Sequence, residues 1–461
     1  MADSETIGTD SSWSALVRGG NAARCAVVGG GMIIHAVNVF IAVTILPSVV
    51  RDIGGLRYFA WSTTLYVVAS LLGGANCASM LRRVGVRNLY RLALLTFALG
   101  ACLCATAPVM AVLLLGRFVQ GLGAGTLSAL SFSNIRLLFP QPLWSRAFSV
   151  ISLAWGIATL GGPAIGGIFA EYGAWRLAFW CLAGLAPMML LLVELTLPRS
   201  LAPSGPRLPV ALLSLGILAV SALCVSAGSM AQDVPVALLG LAAAFTLLAL
   251  FMRREGRTAV RVLPRGACDP RTRLSGIYGA MLLMLVGVNA EIFVPYFLQR
   301  LHGMTPLHAG YVSAMMAGGW ALISAVAAGR GGAALLLRLG PMLLGGGLLV
   351  LCAVMPMASL PNALAIPLMA LALGAMGSGM GICWPHLGTN VFIAAPEDER
   401  DLASASITTI IMVGNAFGSA SAGMVTNIAG LATAPAQAAF WLFGLFALAP
   451  FAAFLVTRRL R

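Results

Sequence analysis

Hydrophobic residues run along this chain in long blocks separated by short polar breaks. A helix needs about 20 apolar residues to cross the hydrocarbon core of a bilayer. Measured with that ruler, the blocks predict transmembrane helices near 26–50, 58–80, 90–108, 109–135, 146–170 and 177–197. Two more are predicted near 208–229 and 234–252, and six near 274–298, 307–328, 333–355, 362–392, 402–428 and 437–457. The expected count is fourteen, arranged as six, two and six. The polar segment from Pro198 to Pro209 closes the first six, and Arg253 to Arg273 precedes the last six. The expected organisation is a tail (1–25), a six-helix bundle (26–197), a linker holding two extra helices and a basic loop (198–273), a second bundle (274–457) and a short end (458–461).

Composition agrees with that pattern. Of 461 residues, 60% are hydrophobic and 9% charged, whereas a soluble domain carries about 25% charged residues. Too few polar groups remain to cover a surface facing water. Lipid suits the chain, because helices satisfy their own backbone hydrogen bonds and turn apolar side chains outward. The polar stretch Met1 to Trp13, followed by Arg18, Arg24 and a block of full spanning length, reads as a cytoplasmic tail and first span rather than a cleavable signal.

The net charge of +14 raises the question of a nucleic-acid partner, and the distribution of charge answers it. All 28 basic residues are arginine. With the N-terminus in the cytoplasm, 23 of the 28 fall on inner segments, Arg51, Arg57, Arg176 and Arg300 fall outside, and Arg117 lies within a span. Such asymmetry follows the positive-inside rule and places both termini in the cytoplasm. The basic charge reads as an orientation signal with weak attraction to anionic lipid; no nucleic acid is expected. The nine cysteines show no metal-ligand spacing and read as small buried hydrophobes, so no metal is expected.

Three segments carry a family resemblance. Gly116-Arg117-Phe118-Val119-Gln120-Gly121-Leu122-Gly123 resembles the R-x-x-Q-G-x-G element of the fourth span in proton-coupled members of the major facilitator superfamily. Gly162-Pro163-Ala164-Ile165-Gly166-Gly167 is similar to the G-P-x-x-G-G motif of its exporters and antiporters, and Trp175-Arg176-Leu177-Ala178-Phe179 to the W-R-x-x-F of drug exporters. The loop after the second span, Ala78-Ser79-Met80-Leu81-Arg82-Arg83-Val84-Gly85-Val86-Arg87, resembles G-x-x-x-D-R-x-G-R-R with Arg82 at the aspartate position. That departure puts the usual latch at this loop in doubt. Leu337-Arg338-Leu339-Gly340 is a faint counterpart in the second half. With fourteen spans, the chain resembles the drug:proton antiporter branch. The resemblance implies an all-α integral membrane protein of the major facilitator fold: two six-helix bundles, two extra central helices and both termini cytoplasmic.

An arginine inside a span costs about 2.5–3.5 kcal/mol on insertion scales and needs a partner or a wet cavity. Arg117 therefore reads either as a strut between helices or as part of proton coupling or cavity polarity, with Gln120 on the same face. The first-span position where the branch places an aspartate holds Asn38, which hydrogen-bonds but does not titrate. Glu291 is the one carboxylate deep inside a predicted span, a coupling or cation-binding candidate or else a buried acid paired to a neighbour. His35 and His386 are further titratable candidates, each also readable as a hydrogen-bonding strut. Trp155, Tyr296, Trp320 and Trp384 are candidates for an aromatic cavity, each also readable as a lipid-facing or core residue. Glu171, Glu194 and the cluster Glu397 to Asp401 read as solvated.

The expected function is export of small amphipathic organic molecules across the cell (inner) membrane, driven by proton exchange and alternating access, by a monomer in lipid with the proton as coupling ion and no other cofactor. An importer or facilitator of one metabolite, and a receptor or scaffold without transport, remain as alternatives. An enzyme is not expected, because no polar loop gathers catalytic acids, histidines or a phosphate cradle.

Overall fold

The computed structural model describes residues 13–18, 20–55, 59–198, 211–229, 234–304, 306–327, 333–357, 359–431 and 433–458. Most of the expected tail and the polar linker beyond Pro198 lie outside them. Every regular element among the described residues is a helix. A short α1 (Trp13–Val17) leads into α2 (Asn21–Ile53), α3 (Phe59–Val84), α4 (Val86–Ala105), α5 (Met110–Leu138), α6 (Trp144–Glu171) and α7 (Trp175–Thr196). Then come α8 (Leu212–Ser229) and α9 (Val234–Glu255). The second half holds α10 (Arg273–Val288), α11 (Val294–His302), α12 (Pro306–Ala327), α13 (Ala333–Val354), α14 (Asn362–Ala394), α15 (Arg400–Ile428) and α16 (Pro435–Thr457).

Twelve stretches among the described residues are long and apolar enough to cross a membrane, against the fourteen expected. The other two predicted blocks also form helices, α6 and α8, but neither is among the twelve. In α8 the apolar run Leu212–Gly228 is short for a crossing. The predicted span 274–298 is one apolar stretch, Arg273–His302, yet not one regular helix. It breaks into α10 and α11 through a 3-10 turn at Asn289–Phe293. Pro295 supplies the cause, since it lacks the N–H that would bond the Glu291 carbonyl and its ring crowds that oxygen. Val294 N–H reaches the Glu291 carbonyl instead, closing the tighter turn.

The chain forms two compact units. In the first, α3 and α4 pack on α5, α2 packs on α5, α6 and α7, and α4 packs on α7. In the second, α12 and α13 pack on α14, α10 packs on α14 and α16, and α13 packs on α16. Each half thus repeats one packing scheme, with α5 and α14 in equivalent places. The units do not divide at the predicted linkers. Residues 257–265 and 395–412 belong with the first half, and 220–256 with the second. Ion pairs explain the first departure: Arg265 bonds Asp398 and Glu399, and Arg82 and Arg136 bond Asp401. The second follows from α8 against α9, where Ser221 Oγ donates to the Ala244 carbonyl at 2.9 Å.

Without a hydrophobic drive between helices in lipid, close backbone approach holds such bundles together. Gly125 on α5 meets the Ser70 backbone of α3 so closely that a Cβ would collide with the Ser70 carbonyl. Gly377 on α14 meets the Met316 carbonyl of α12 in the same way. Gly125→Ala and Gly377→Ala are each expected to cost about 1–3 kcal/mol by overpacking, read as a lower melting temperature in detergent. Gly167→Ala, with open space at its Cβ position, should leave melting unchanged.

Candidate functional site

In the first unit, four helices bring a polar cluster into an apolar interior. Asn38 follows His35 by one turn on α2, and Gln120 follows Arg117 by one turn on α5, so each pair shares a helix face. Arg117 is 2% exposed. Its Nη1 donates to Asn38 Oδ1 at 3.1 Å and to Gln120 Oε1 at 2.7 Å. Its guanidinium lies 4.3 Å above the Tyr66 ring of α3, a cation–π contact that is stronger away from water. The Tyr66 hydroxyl is 3.0 Å from His35 Nδ1. Trp155 of α6 meets the His35 ring edge-on at 5.9 Å and Phe40 at 6.2 Å. The structure therefore gathers His35, Asn38, Arg117, Gln120 and Trp155 into one group. Tyr66, passed over by the sequence reading, is its centre; the available signal was a phenol inside an otherwise apolar block.

The second-unit candidates stand apart from one another. Glu291 lies in the 3-10 turn between α10 and α11, with Oε2 buried and no hydrogen-bond partner. Tyr296 is partly exposed and its hydroxyl donates to the Leu431 carbonyl at 3.0 Å. Trp384 is buried against Trp320 at 6.2 Å, and the neighbouring His386 is buried with Nε2 unpartnered. No hydrogen bond joins any two of these four among the described residues. Near Glu291, Asn289 Nδ2 donates to the Leu285 carbonyl at 2.7 Å and to Asn415 Oδ1 at 3.2 Å, a pair the sequence reading did not single out.

The glycine motif is a packing surface. Cβ atoms at Gly162 and Gly166 would meet Phe40 and Thr44 of α2 at 2.5 and 3.0 Å, while Gly167 faces open space. The side chain of Pro163 lies outside the described residues. At the W-R pair, Trp175 Nε1 and Arg176 Nη1 both donate to Asp52 Oδ2, at 3.1 and 2.5 Å, and Arg176 Nη2 donates to the Ala107 carbonyl at 3.1 Å. These contacts dock the start of α7 on the ends of α2 and α4. The bonds from Arg176 and then Trp175 hold the Asp52 carboxyl below the usual carboxylate range.

The loop motif holds the largest correction. Gly85, at φ 78°, makes the turn from α3 to α4, a conformation L side chains resist. Arg83 is exposed. Arg87 and Arg91 clamp Glu194, the latter with Nε to Oε1 at 2.5 Å, so Glu194 is ion-paired rather than simply solvated. Arg82 Nε bonds Asp401 Oδ2 at 3.0 Å and its Nη2 donates to the Asp398 carbonyl at 2.9 Å. Arg136 of α5 also pairs with Asp401. The Arg82 and Asp401 side chains are only 6% and 4% exposed. The acidic run expected in solvent thus ends in a carboxylate buried between two guanidiniums, in the first turn of α15, where the helix dipole favours an acid.

A family model described as the Major Facilitator Superfamily matches residues 28–419. The chain belongs to the major facilitator superfamily. It is a multi-pass membrane transporter and not an enzyme. It is 36% identical to a "probable multidrug-efflux transporter" of Mycobacterium tuberculosis over 414 residues, 87% of each chain. It is 25% identical to the multidrug resistance protein Stp of the same organism, over 86% of this chain and 74% of that one. Among solved structures, the human organic anion transporter MFSD10 aligns with a TM-score of 0.69 at 17% identity, over 95% of this chain and 99% of the other. The proton:xylose symporter XylE aligns with a TM-score of 0.66 at 14% identity, over 94% of each. At these identities the structural likeness is one of fold.

Where the superfamily's loop motif carries an aspartate, this chain has Arg82, and that base meets an acid on α15, Asp401. Breaking a buried pair by removing one partner costs about 3–5 kcal/mol. Asp401→Ala is expected to lower stability by that order in a denaturation series in detergent. Arg82→Asp should be at least as damaging, and the double exchange Arg82→Asp with Asp401→Arg should recover part of the loss. A double exchange worse than both single variants would remove the pair from the account of this contact.

Proposed function

We propose that this chain exports small amphipathic organic molecules across the cell (inner) membrane in exchange for protons, by alternating access. The observation that carries the reading is 36% identity, spread over 87% of both chains, with a probable multidrug-efflux transporter. The glycine pair Gly162 and Gly166, similar to the exporter motif and packed on α2, supports the outward direction. Glu291 is the proposed proton carrier. It is an acid in an apolar stretch, at a break in the helix, with one oxygen buried and unpartnered, and an acid so placed is by default a candidate for function. Arg117, with His35 and His386, is proposed to tune that step, and Asn38, Gln120, Trp155, Tyr296 and Trp384 to line the substrate's path.

The proposal keeps fourteen crossings, as in the drug:proton antiporter branch, with α6 and α8 crossing beside the twelve clear candidates and both termini cytoplasmic. The distribution of arginine supports it, with 23 of 28 on one side under that threading. The protein is proposed to work as a monomer in lipid.

Everted membrane vesicles test the coupling. Vesicles loaded by the wild type with a fluorescent efflux substrate should lose accumulation when a protonophore collapses the gradient. Glu291→Gln should abolish gradient-driven accumulation while leaving substrate exchange at equilibrium. An unchanged pH dependence in Glu291→Gln would remove Glu291 from the coupling, and gradient-driven uptake into right-side-out cells would reverse the direction.

A further inference from the structure

We propose that Arg117, Asn38 and Gln120 form a subsite for a monoanionic group, so that the organic molecules this transporter handles include amphipathic carboxylates. The identity of the ligand as cargo rests on the export reading above; the subsite itself rests on charge and hydrogen bonding in the first unit.

Arg117 is buried, and among the described residues its charge meets only neutral groups: the amide oxygens of Asn38 and Gln120 and the face of Tyr66. Each acid of this unit whose side chain is described is engaged elsewhere. Asp52 pairs with Arg176, Glu194 with Arg87 and Arg91, and Glu397 with Arg400. Asp398 and Glu399 pair with Arg265, and Asp401 with Arg82 and Arg136. Among the described side chains of this unit, one full positive charge is therefore left in an apolar interior without a counter-charge, a costly arrangement unless something supplies one.

The hydrogen bonds are one-sided in the same sense. Asn38 and Gln120 commit their oxygens to Arg117, so their NH2 groups face away from it; the opposite amide orientation would set donor against donor. Gln120 Nε2 and Arg117 Nε are buried without a partner, and Asn38 Nδ2 has only the Tyr66 hydroxyl beside it. Asn38 and Gln120 are 0% exposed. The cluster thus holds two spare buried donors, a third with only the Tyr66 hydroxyl beside it, and one unmatched positive charge. An acceptor-only group of charge −1 answers both. A cation is repelled, and a neutral carbonyl meets donors but leaves the charge. The edge-on rings of Trp155 and Phe40 beside the cluster offer an apolar wall to the body of an amphipathic acid. A carboxylate on the cargo and an inorganic anion such as chloride share this chemistry.

Purified full-length protein in lipid nanodiscs tests it with 1-naphthoate against 1-naphthamide, the same ring with the charge removed, by equilibrium dialysis. The wild type is expected to bind naphthoate at least about tenfold more tightly, the scale of one charge-assisted hydrogen bond. Arg117→Gln should erase the difference. Asn38→Asp places a carboxylate beside Arg117 and should also erase it without lowering the melting temperature, which separates occupancy of the site from damage to the fold. Equal binding of both probes by the wild type, or a preference that survives in Asn38→Asp, overturns the proposal. Competition by chloride would support the subsite and identify an inorganic anion as an occupant. Naphthoate counterflow in proteoliposomes would mark the carboxylate as cargo. Binding without any flux would sink the export reading and leave the subsite standing.

Discussion

A charge carried into hydrocarbon has to be met on the spot, by an opposite charge or by oriented dipoles, because no water is at hand to do it. The rest of this molecule is arranged around that constraint. The chain holds 28 arginines and 14 acids, so acids are the scarce partner, and where each one goes decides which helices are tied together. In the first unit the described acids serve as ties: Glu194 joins α7 to α4, Asp52 joins α2 to α7, and Asp401 joins the start of α15 to α3 and α5. Elsewhere the helices meet through small residues and backbone contact, as at Gly125 and Gly377, which is how packing proceeds when lipid competes equally for apolar side chains.

The same constraint explains why the altered loop motif need not mean a lost contact. With Arg82 at the position where the superfamily carries an acid, the acid is found on the partner side, at Asp401, where the first turn of a helix stabilises it further. Arg136 adds a second cation to the same carboxylate. A carboxylate held by two guanidiniums and nearly closed to solvent is a stiff contact at rest, yet it weakens sharply once water or another ion enters, since its strength depends on the low dielectric around it. That combination suits a contact which has to be firm in one conformational state and absent in another.

Most of the fold was legible from block length alone, because the need to satisfy every backbone group in lipid leaves a helix as the local answer. The break at Asn289–Phe293 was written in Pro295, but a composition window averages over it and reads one span. The division into units was not legible, since it turns on ion pairs such as Arg82 with Asp401, separated by 319 positions. An acidic run beside a helix start reads as solvated unless its distant partners are known, and so the buried end of Glu397 to Asp401 was missed. The polar cluster was half legible. His35, Asn38, Arg117 and Gln120 stand out as polar residues in apolar blocks, and their spacing puts each pair on one face. Tyr66 does not, because a tyrosine fits an apolar block as well as a polar site, and only the three-dimensional contact with Arg117 separates the two roles.

Arg82 and Arg117 mark the two outcomes open to a guanidinium in this environment. Arg82 has a carboxylate, and its contribution is spent on holding α3 to α15. Arg117 has amides and a phenol, which orient it without neutralising it. A structure selected only for rigidity would place an acid at position 38, where the side chain already reaches Arg117 Nη1. Asparagine there keeps the geometry and withholds the charge. The cluster is thus held in shape while remaining electrostatically incomplete, and incompleteness of that kind is what a ligand-dependent change of state requires: the state that admits the missing charge gains stability that the empty state lacks, so binding shifts the balance between them.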